Sequence, residues 1–389
     1  MIRNKTFMLV LVALLVLSTS CQAAGSSGDQ ELVIGAAIAL TGANAPFDSP
    51  FKEGLEVAVQ RINDAGGIDG RIPIRLEIRD IKSDAALASQ VAQELVGLGV
   101  DVMITGADTD YCIASGLVAK AAGIPAIASV ATTPTIIAAV GDNMFLASMG
   151  DNTQSAALAE YAIGQGYLTA YTLGSPDSAY TQKVIEYFTA AYTNLGGEIV
   201  LADTFSVGAT DFAAQIAKIQ ALNPQPDVIV TSAWVPDSAV FVKQLRASGI
   251  DTQVLSTDGN DSPLLMEVGG DAVEGMIFST HGFLAPGSAL EQFYADYEEI
   301  KGQPPESIFA ALAGDLIAAV EAAVIKAGST DPAAIRDALD SLADVQGVTG
   351  TMTYAGQRGV PLKDVALVVV QDGSFELLSA LQPSEVPAP

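Results

Sequence analysis

Apolar residues in this chain fall into two rhythms that alternate from residue 31 onward. Residues 33–40 form an unbroken run of small apolar side chains, the pattern of a parallel strand covered on both faces. Residues 41–47 follow as a polar turn that carries Phe47. Phe51, Leu55, Ala58 and Ile62 then recur at helical spacing until Gly66 and Gly67 end the helix. The same alternation predicts strands over 72–79, 100–105 and 126–130, helices over 84–97 and 113–122, and a polar loop at 106–111. Near residues 145–151 the pattern starts afresh. Helices over 153–163, 180–195, 211–222 and 237–248 interleave with strands over 170–173, 198–201, 228–231, 253–256 and 275–280. Helices over 288–301, 308–327 and 332–342 and a strand over 365–370 complete the series.

Strands alternating with helices build parallel sheets joined by right-handed crossovers. Two runs of similar size therefore predict an α/β chain with two doubly wound, Rossmann-like lobes and a cleft between them. At 389 residues the chain is long enough for two substantial cores. Ligands of open α/β sheets bind beyond the carboxyl ends of the strands, and clefts between domains are favoured sites. The turn at 41–47 is thus the first candidate.

Composition narrows the partner. Eighteen Lys and Arg stand against 45 Asp and Glu, a net charge of −27, which repels phosphate backbones and anionic lipid. Nucleic acid and charge-driven membrane binding are disfavoured. The start of the chain, basic at Arg3 and Lys5 and apolar over 7–17, resembles a lipoprotein-type export signal over 1–21 rather than a membrane span. Cys21 is the candidate lipidation site, although Ser18 stands where such signals usually carry Leu, and plain secretion with cleavage nearby is the alternative. Residues 22–30 read as a flexible tether, and 381–389, with three prolines, as a tail expected to fray. With Cys21 lipidated, Cys112 has no partner and is expected to be a small buried residue.

Catalytic motifs are scarce. No phosphate-cradling glycine loop and no nucleophile elbow occur, and the single histidine, His281, excludes a two-histidine metal motif. His281 reads as a structural or hinge residue at a strand end. The carboxylate pairs Asp108 with Asp110 and Asp258 with Asp261 have the right chemistry for a hard cation, but solvated loop carboxylates are the commoner reading. No metal and no cofactor is expected, and an enzyme is the weaker class.

Six stretches carry a family resemblance: 34–42, 54–70, 122–134, TDFAAQIAKI at 210–219, FVKQLRASG at 241–249 and GGDAVEG at 269–275. In this order and spacing they resemble the periplasmic leucine/isoleucine/valine-binding proteins, the type I solute-binding components of ABC importers. That resemblance implies a monomeric receptor with two lobes joined by three crossing segments, closing on an amino acid, or a related amine or amide, and presenting it to an ABC permease. Contact with the membrane would be through the lipid anchor alone. It further implies a first lobe of 31–149 and 280–343 and a second of 150–279 and 344–380. A ligand-sensing receptor subunit feeding a membrane signalling partner is the alternative.

The resemblance also implies site residues. Phe47, five positions after Gly42, falls where the family places an aromatic lid. Ala107-Asp108-Thr109 and Val130-Ala131-Thr132 fall where relatives bind a ligand carboxylate, with Thr109, Ala131 and Thr132 as the matching positions. Tyr180 and Trp234 match aromatics of the second lobe, Phe309 matches a further ring from the first, and Asp258 matches an acidic residue that grips the α-amino group. An amino-acid zwitterion needs such a set: hydroxyl and N–H donors for its carboxylate, a carboxylate for its ammonium, aromatic walls for its side chain. Asp108 departs from the pattern, because an acid there would repel a ligand carboxylate. Either Asp108 turns away and Thr109 serves, or the ligand is an amine, amide or diamine rather than a standard α-amino acid.

Overall fold

The computed structural model describes residues 31–388; the expected signal, Cys21 and the tether lie outside them. The first lobe opens with β1 (Leu32–Ile38), α1 (Ala45–Asp64), β2 (Ile74–Asp80), α2 (Ala85–Gly97), β3 (Val102–Thr105), α3 (Thr109–Ala121), β4 (Ala126–Ala128), α4 (Thr135–Val140) and β5 (Met144–Leu146). Its sheet runs β2-β1-β3-β4-β5 with every pairing parallel. β1 is fully buried, which is why it contains no polar alternation.

The chain then enters the second lobe through α5 (Asp151–Gly164), β6 (Thr169–Gly174), α6 (Ala179–Asn194), β7 (Glu198–Thr204), α7 (Ala213–Ala221), β8 (Val228–Thr231), α8 (Asp237–Ala247), β9 (Gln253–Ser256), α9 (Leu264–Gly269) and β10 (Ile277–Thr280). It returns to the first lobe as α10 (Ala289–Lys301), α11 (Phe309–Ala327), α12 (Pro332–Asp340) and a small ribbon, β11 (Val345–Gln346) with β12 (Thr351–Met352). β13 (Val365–Gln371) and β14 (Ser374–Leu381) finish the second sheet, whose order is β14-β13-β10-β9-β8-β6-β7. Only β13 and β14 run antiparallel to their neighbours.

Four differences from the sequence reading have physical causes. Phe47 belongs to the first turn of α1, not to a loop, because Pro46 occupies a helix-start position where its missing N–H costs nothing. Likewise α3 begins inside the expected 106–111 loop, capped by Asp108. The third crossing falls near residue 364 rather than 344. Val345, Met352 and Tyr354 are part of the first lobe's core, and the Tyr354 hydroxyl donates to the Leu146 carbonyl at 2.7 Å. Finally, the tail is tied down. Ser384 donates to Glu160 from both its N–H (2.7 Å) and hydroxyl (2.6 Å), Asn194 donates to Glu385 at 2.9 Å, and Asn152 donates to the Pro387 carbonyl at 2.9 Å.

Candidate functional site

The carboxyl ends of both sheets face one another, and the loops beyond them enclose a space of about 530 Å³, part of it open to solvent. Phe47, Asp108, Thr109, Ala131, Thr132, Tyr180, Trp234, Asp258 and Phe309 all line it, together with Asn44, Ala107, Val130, Thr133, Ser178 and Gly259. No Lys or Arg is among them.

On the first-lobe side, one carboxylate fixes the loops. Asp48 is fully buried beside Phe47; its Oδ2 accepts the N–H groups of Ala39 (2.7 Å) and Ala107 (3.0 Å), and its Oδ1 accepts the Ser129 hydroxyl (2.7 Å). These partners follow β1, β3 and β4, so a single side chain gathers three strand ends. Burial pushes its carboxyl up to about 7 despite those three donors. Phe47 meets Phe309, the first residue of α11, edge to face with centroids 5.3 Å apart. Asp108 spends its Oδ1 on the Asp110 N–H at 3.0 Å, capping α3, while still bordering the cavity. Burial and the charge of Asp110 raise its carboxyl.

On the second-lobe side, Asp258 follows β9 and is 4% exposed. Its Oδ1 accepts from Gln154 Nε2 and the Tyr180 hydroxyl, both at 2.8 Å, and its Oδ2 lies 3.2 Å from His281 Nε2. Burial would raise this carboxyl, but His281, Gln154 and Tyr180 together outweigh burial and hold it below the usual carboxylate range. Asp258 is therefore an anion at neutral pH. The Tyr180 phenol is pushed well up by burial and the nearby acids, so it stays protonated and donates. Its ring lies 5.9 Å from Trp234. Gly259 keeps this wall thin, since a Cβ there would come within 2.6 Å of Trp234 Cβ.

Between the walls sits Asp151, where the chain first crosses. It is fully buried and accepts from Thr133 Oγ1 (2.6 Å) and Gln154 Nε2 (3.0 Å). Burial and the nearby Asp258 push its carboxyl up to about 7. Asp261 faces elsewhere, accepting from Thr280, so it forms no chelating pair with Asp258. Cys112 is buried against Gly106 and Thr105, and burial pushes its thiol far up, which leaves it inert.

Asp48, Asp151, Gln154, Gly259 and Ser279 escaped the sequence reading, and His281 entered it without a partner. No local signal singles out Asp151 and Gln154, which in sequence look like polar positions of an ordinary helix start. The arrangement pairs an aromatic-walled space bordered by Asp108, Thr109 and Thr132 on one side with the Asp258 anion on the other.

Two α/β lobes that share one cavity define the architecture, and similarity to known chains places it further. Residues 31–374 match the family described as periplasmic binding protein, and the chain belongs to that family. It is 26% identical over 337 residues to the Leu/Ile/Val-binding protein homolog 1 of Brucella abortus strain 2308, covering 87% of this chain and 89% of the relative. The leucine binding protein LivK of Thermotoga maritima superposes with a TM-score of 0.81 at 25% identity, over 90% of this chain and 99% of that one. The branched-chain amino acid transporter substrate binding protein LivJ of Streptococcus pneumoniae, solved with isoleucine, gives 0.81 at 26%, over 91% and 100%. The fold is that of the type I, leucine/isoleucine/valine-binding group.

Proposed function

We propose that this chain captures an amino acid of the branched-chain type, or a small amine or amide resembling one, by closing its lobes. It then presents the ligand to an ABC permease outside the cytoplasm, held at the membrane by lipid on Cys21. No helix among the described residues is long and apolar enough to cross a membrane. The observation that carries this reading is Asp258: a buried anion, held by Gln154, Tyr180 and His281, bordering a cavity that contains no cationic side chain. An ammonium group is the ligand donor that such a carboxylate accepts most strongly. The ring of Trp234 beside Tyr180 adds a cation–π surface near that end. Thr109 and Thr132, which line the first-lobe side of the cavity, carry hydroxyls suited to a ligand carboxylate, the Thr132 hydroxyl also serving Asp151. The isoleucine-bound relative supports the same reading.

Calorimetry with leucine, isoleucine and valine, alongside the corresponding amines and amides, tests it. Asp258→Ala is expected to weaken an amine-bearing ligand by about a hundredfold, the scale of losing a buried charged partner, with the melting temperature largely kept. Unchanged affinity would remove Asp258 from the amino-group role.

A further inference from the structure

Asp258 presents its charge to the cavity only if its side chain is held in one orientation, and one of the three residues that hold it, Gln154, also reaches Asp151 and Ser279. Gln154 is fully buried in the first turns of α5. Its Nε2 donates to Asp258 Oδ1 at 2.8 Å and to Asp151 Oδ1 at 3.0 Å. Its Oε1 accepts the Ser279 hydroxyl at 2.7 Å and the Asp258 N–H at 3.3 Å. Both donors and both acceptor positions of the amide are thereby used. The partners come from three places: Asp151 at the first crossing, Asp258 after β9, and Ser279 in β10, which leads into the second crossing.

A carboxylate accepts at about four positions. Gln154 and Tyr180 take those of Oδ1 and His281 takes one of Oδ2, which leaves one position on Oδ2 for a ligand donor. Without the shared Nε2, the two buried carboxyl groups would lose the donor between them, and Asp258 would be held by Tyr180 and His281 alone. We infer that Gln154 is the positioning residue for the amino-group end of the site, fixing the Asp258 rotamer and tying it to two of the crossing segments. This rests on the proposed amino-acid reading. It predicts that Gln154 discriminates ligands by their amino group without touching them.

His281 provides a ligand-free readout. It is the only histidine in the chain, so its imidazole gives one set of nitrogen signals. Its Nε2 lies 3.2 Å from Asp258 Oδ2, whereas its buried Nδ1 has no partner. In the neutral ring this geometry requires the proton on Nε2.

The experiment compares full-length wild type with Gln154→Met, which keeps the bulk and removes all four hydrogen bonds. Leucine and 4-methylpentanoate, the same molecule without its amino group, are titrated by calorimetry, and the imidazole ¹⁵N spectrum is recorded without ligand. Leucine affinity is expected to fall by about tenfold or more, the weight of hydrogen bonds to a charged group. The 4-methylpentanoate affinity stays unchanged, and the His281 signals move. An equal loss for both ligands, or an unmoved imidazole spectrum, overturns the assignment. Should wild type bind neither compound, the amino-acid reading fails on its own, and the imidazole comparison still decides whether Gln154 positions Asp258. If Gln154→Met does not fold, Ser279→Ala serves instead. Removing the hydroxyl that orients Oε1 should weaken leucine by about fivefold and leave 4-methylpentanoate alone; no change for leucine overturns the proposal.

Discussion

Asp48 shows how much one buried acid can organise. Three donors from three strand ends converge on it, yet burial raises its carboxyl to about 7. Because that value lies above the ordinary carboxylate value of about 3.9, the folded chain holds the proton more tightly than the unfolded chain. The stability this confers is complete below about pH 4 and is lost as the pH rises to about 7. Asp48→Asn removes the titration at little structural cost. The amide oxygen can take both N–H groups now on Oδ2, and the Ser129 hydroxyl can turn to accept from Nδ2. Denaturant unfolding from pH 4 to pH 7.5 should therefore show Asp48→Asn gaining on wild type as the pH rises. Parallel curves would mean that the Asp48 carboxyl does not titrate in that range.

At the scale of elements, the aromatic edge of the cavity is set by two helices, α1 and α11, whose packing includes a glycine contact. A Cβ on Gly54 would lie 2.0 Å from the carbonyl oxygen of Ala310, so α1 and α11 approach this closely only with glycine there. The same approach brings Phe47 and Phe309 into edge-to-face contact. Gly54→Ala should destabilise by about 1–3 kcal/mol, the scale of overpacking, and weaken ligand binding as the rings separate. Chemical unfolding and calorimetry check the two parts, and a variant as stable as wild type would show that the helices shift without loss. The strand and helix rhythm was legible because burial imposes its period on the residues. The spacing of Gly42, Phe47 and Gly54 was legible as a family pattern. That Gly54 serves a helix far along the chain was not, since nothing local records Ala310. β14 was missed because its side chains are mostly exposed at a sheet edge, although Asp372-Gly373, both with positive φ, is the hairpin turn pair that announces it. Buried polar residues such as Gln154 were hidden for a related reason: in sequence they look like any polar position on a solvated helix face.

At the scale of the molecule, the proposed closure would bend the chain where each lobe stops gripping it. The third crossing is gripped late. Lys363 is 2% exposed and donates to Asp315 Oδ2 at 2.6 Å, and to Thr349 Oγ1 at 2.8 Å. The Thr349 N–H in turn reaches Asp315 Oδ1 at 2.9 Å. Leu146 also donates to the Gly359 carbonyl at 2.8 Å, so residues 345–363 are bound to the first lobe. β13 begins at Val365, which leaves about one residue to bend. A buried ion pair is weak evidence for stability in itself, but breaking one side leaves an uncompensated charge. Lys363→Met should therefore cost about 3–5 kcal/mol, whereas Lys363→Met with Asp315→Leu should recover most of that loss. If the pair serves mainly to fix the hinge, the double variant should be stable yet close less completely. Its Trp234 fluorescence change on adding ligand would then be smaller than in wild type, because the bend is no longer confined beside residue 364. A double variant with a full fluorescence change would show that packing of 345–362 alone defines the hinge.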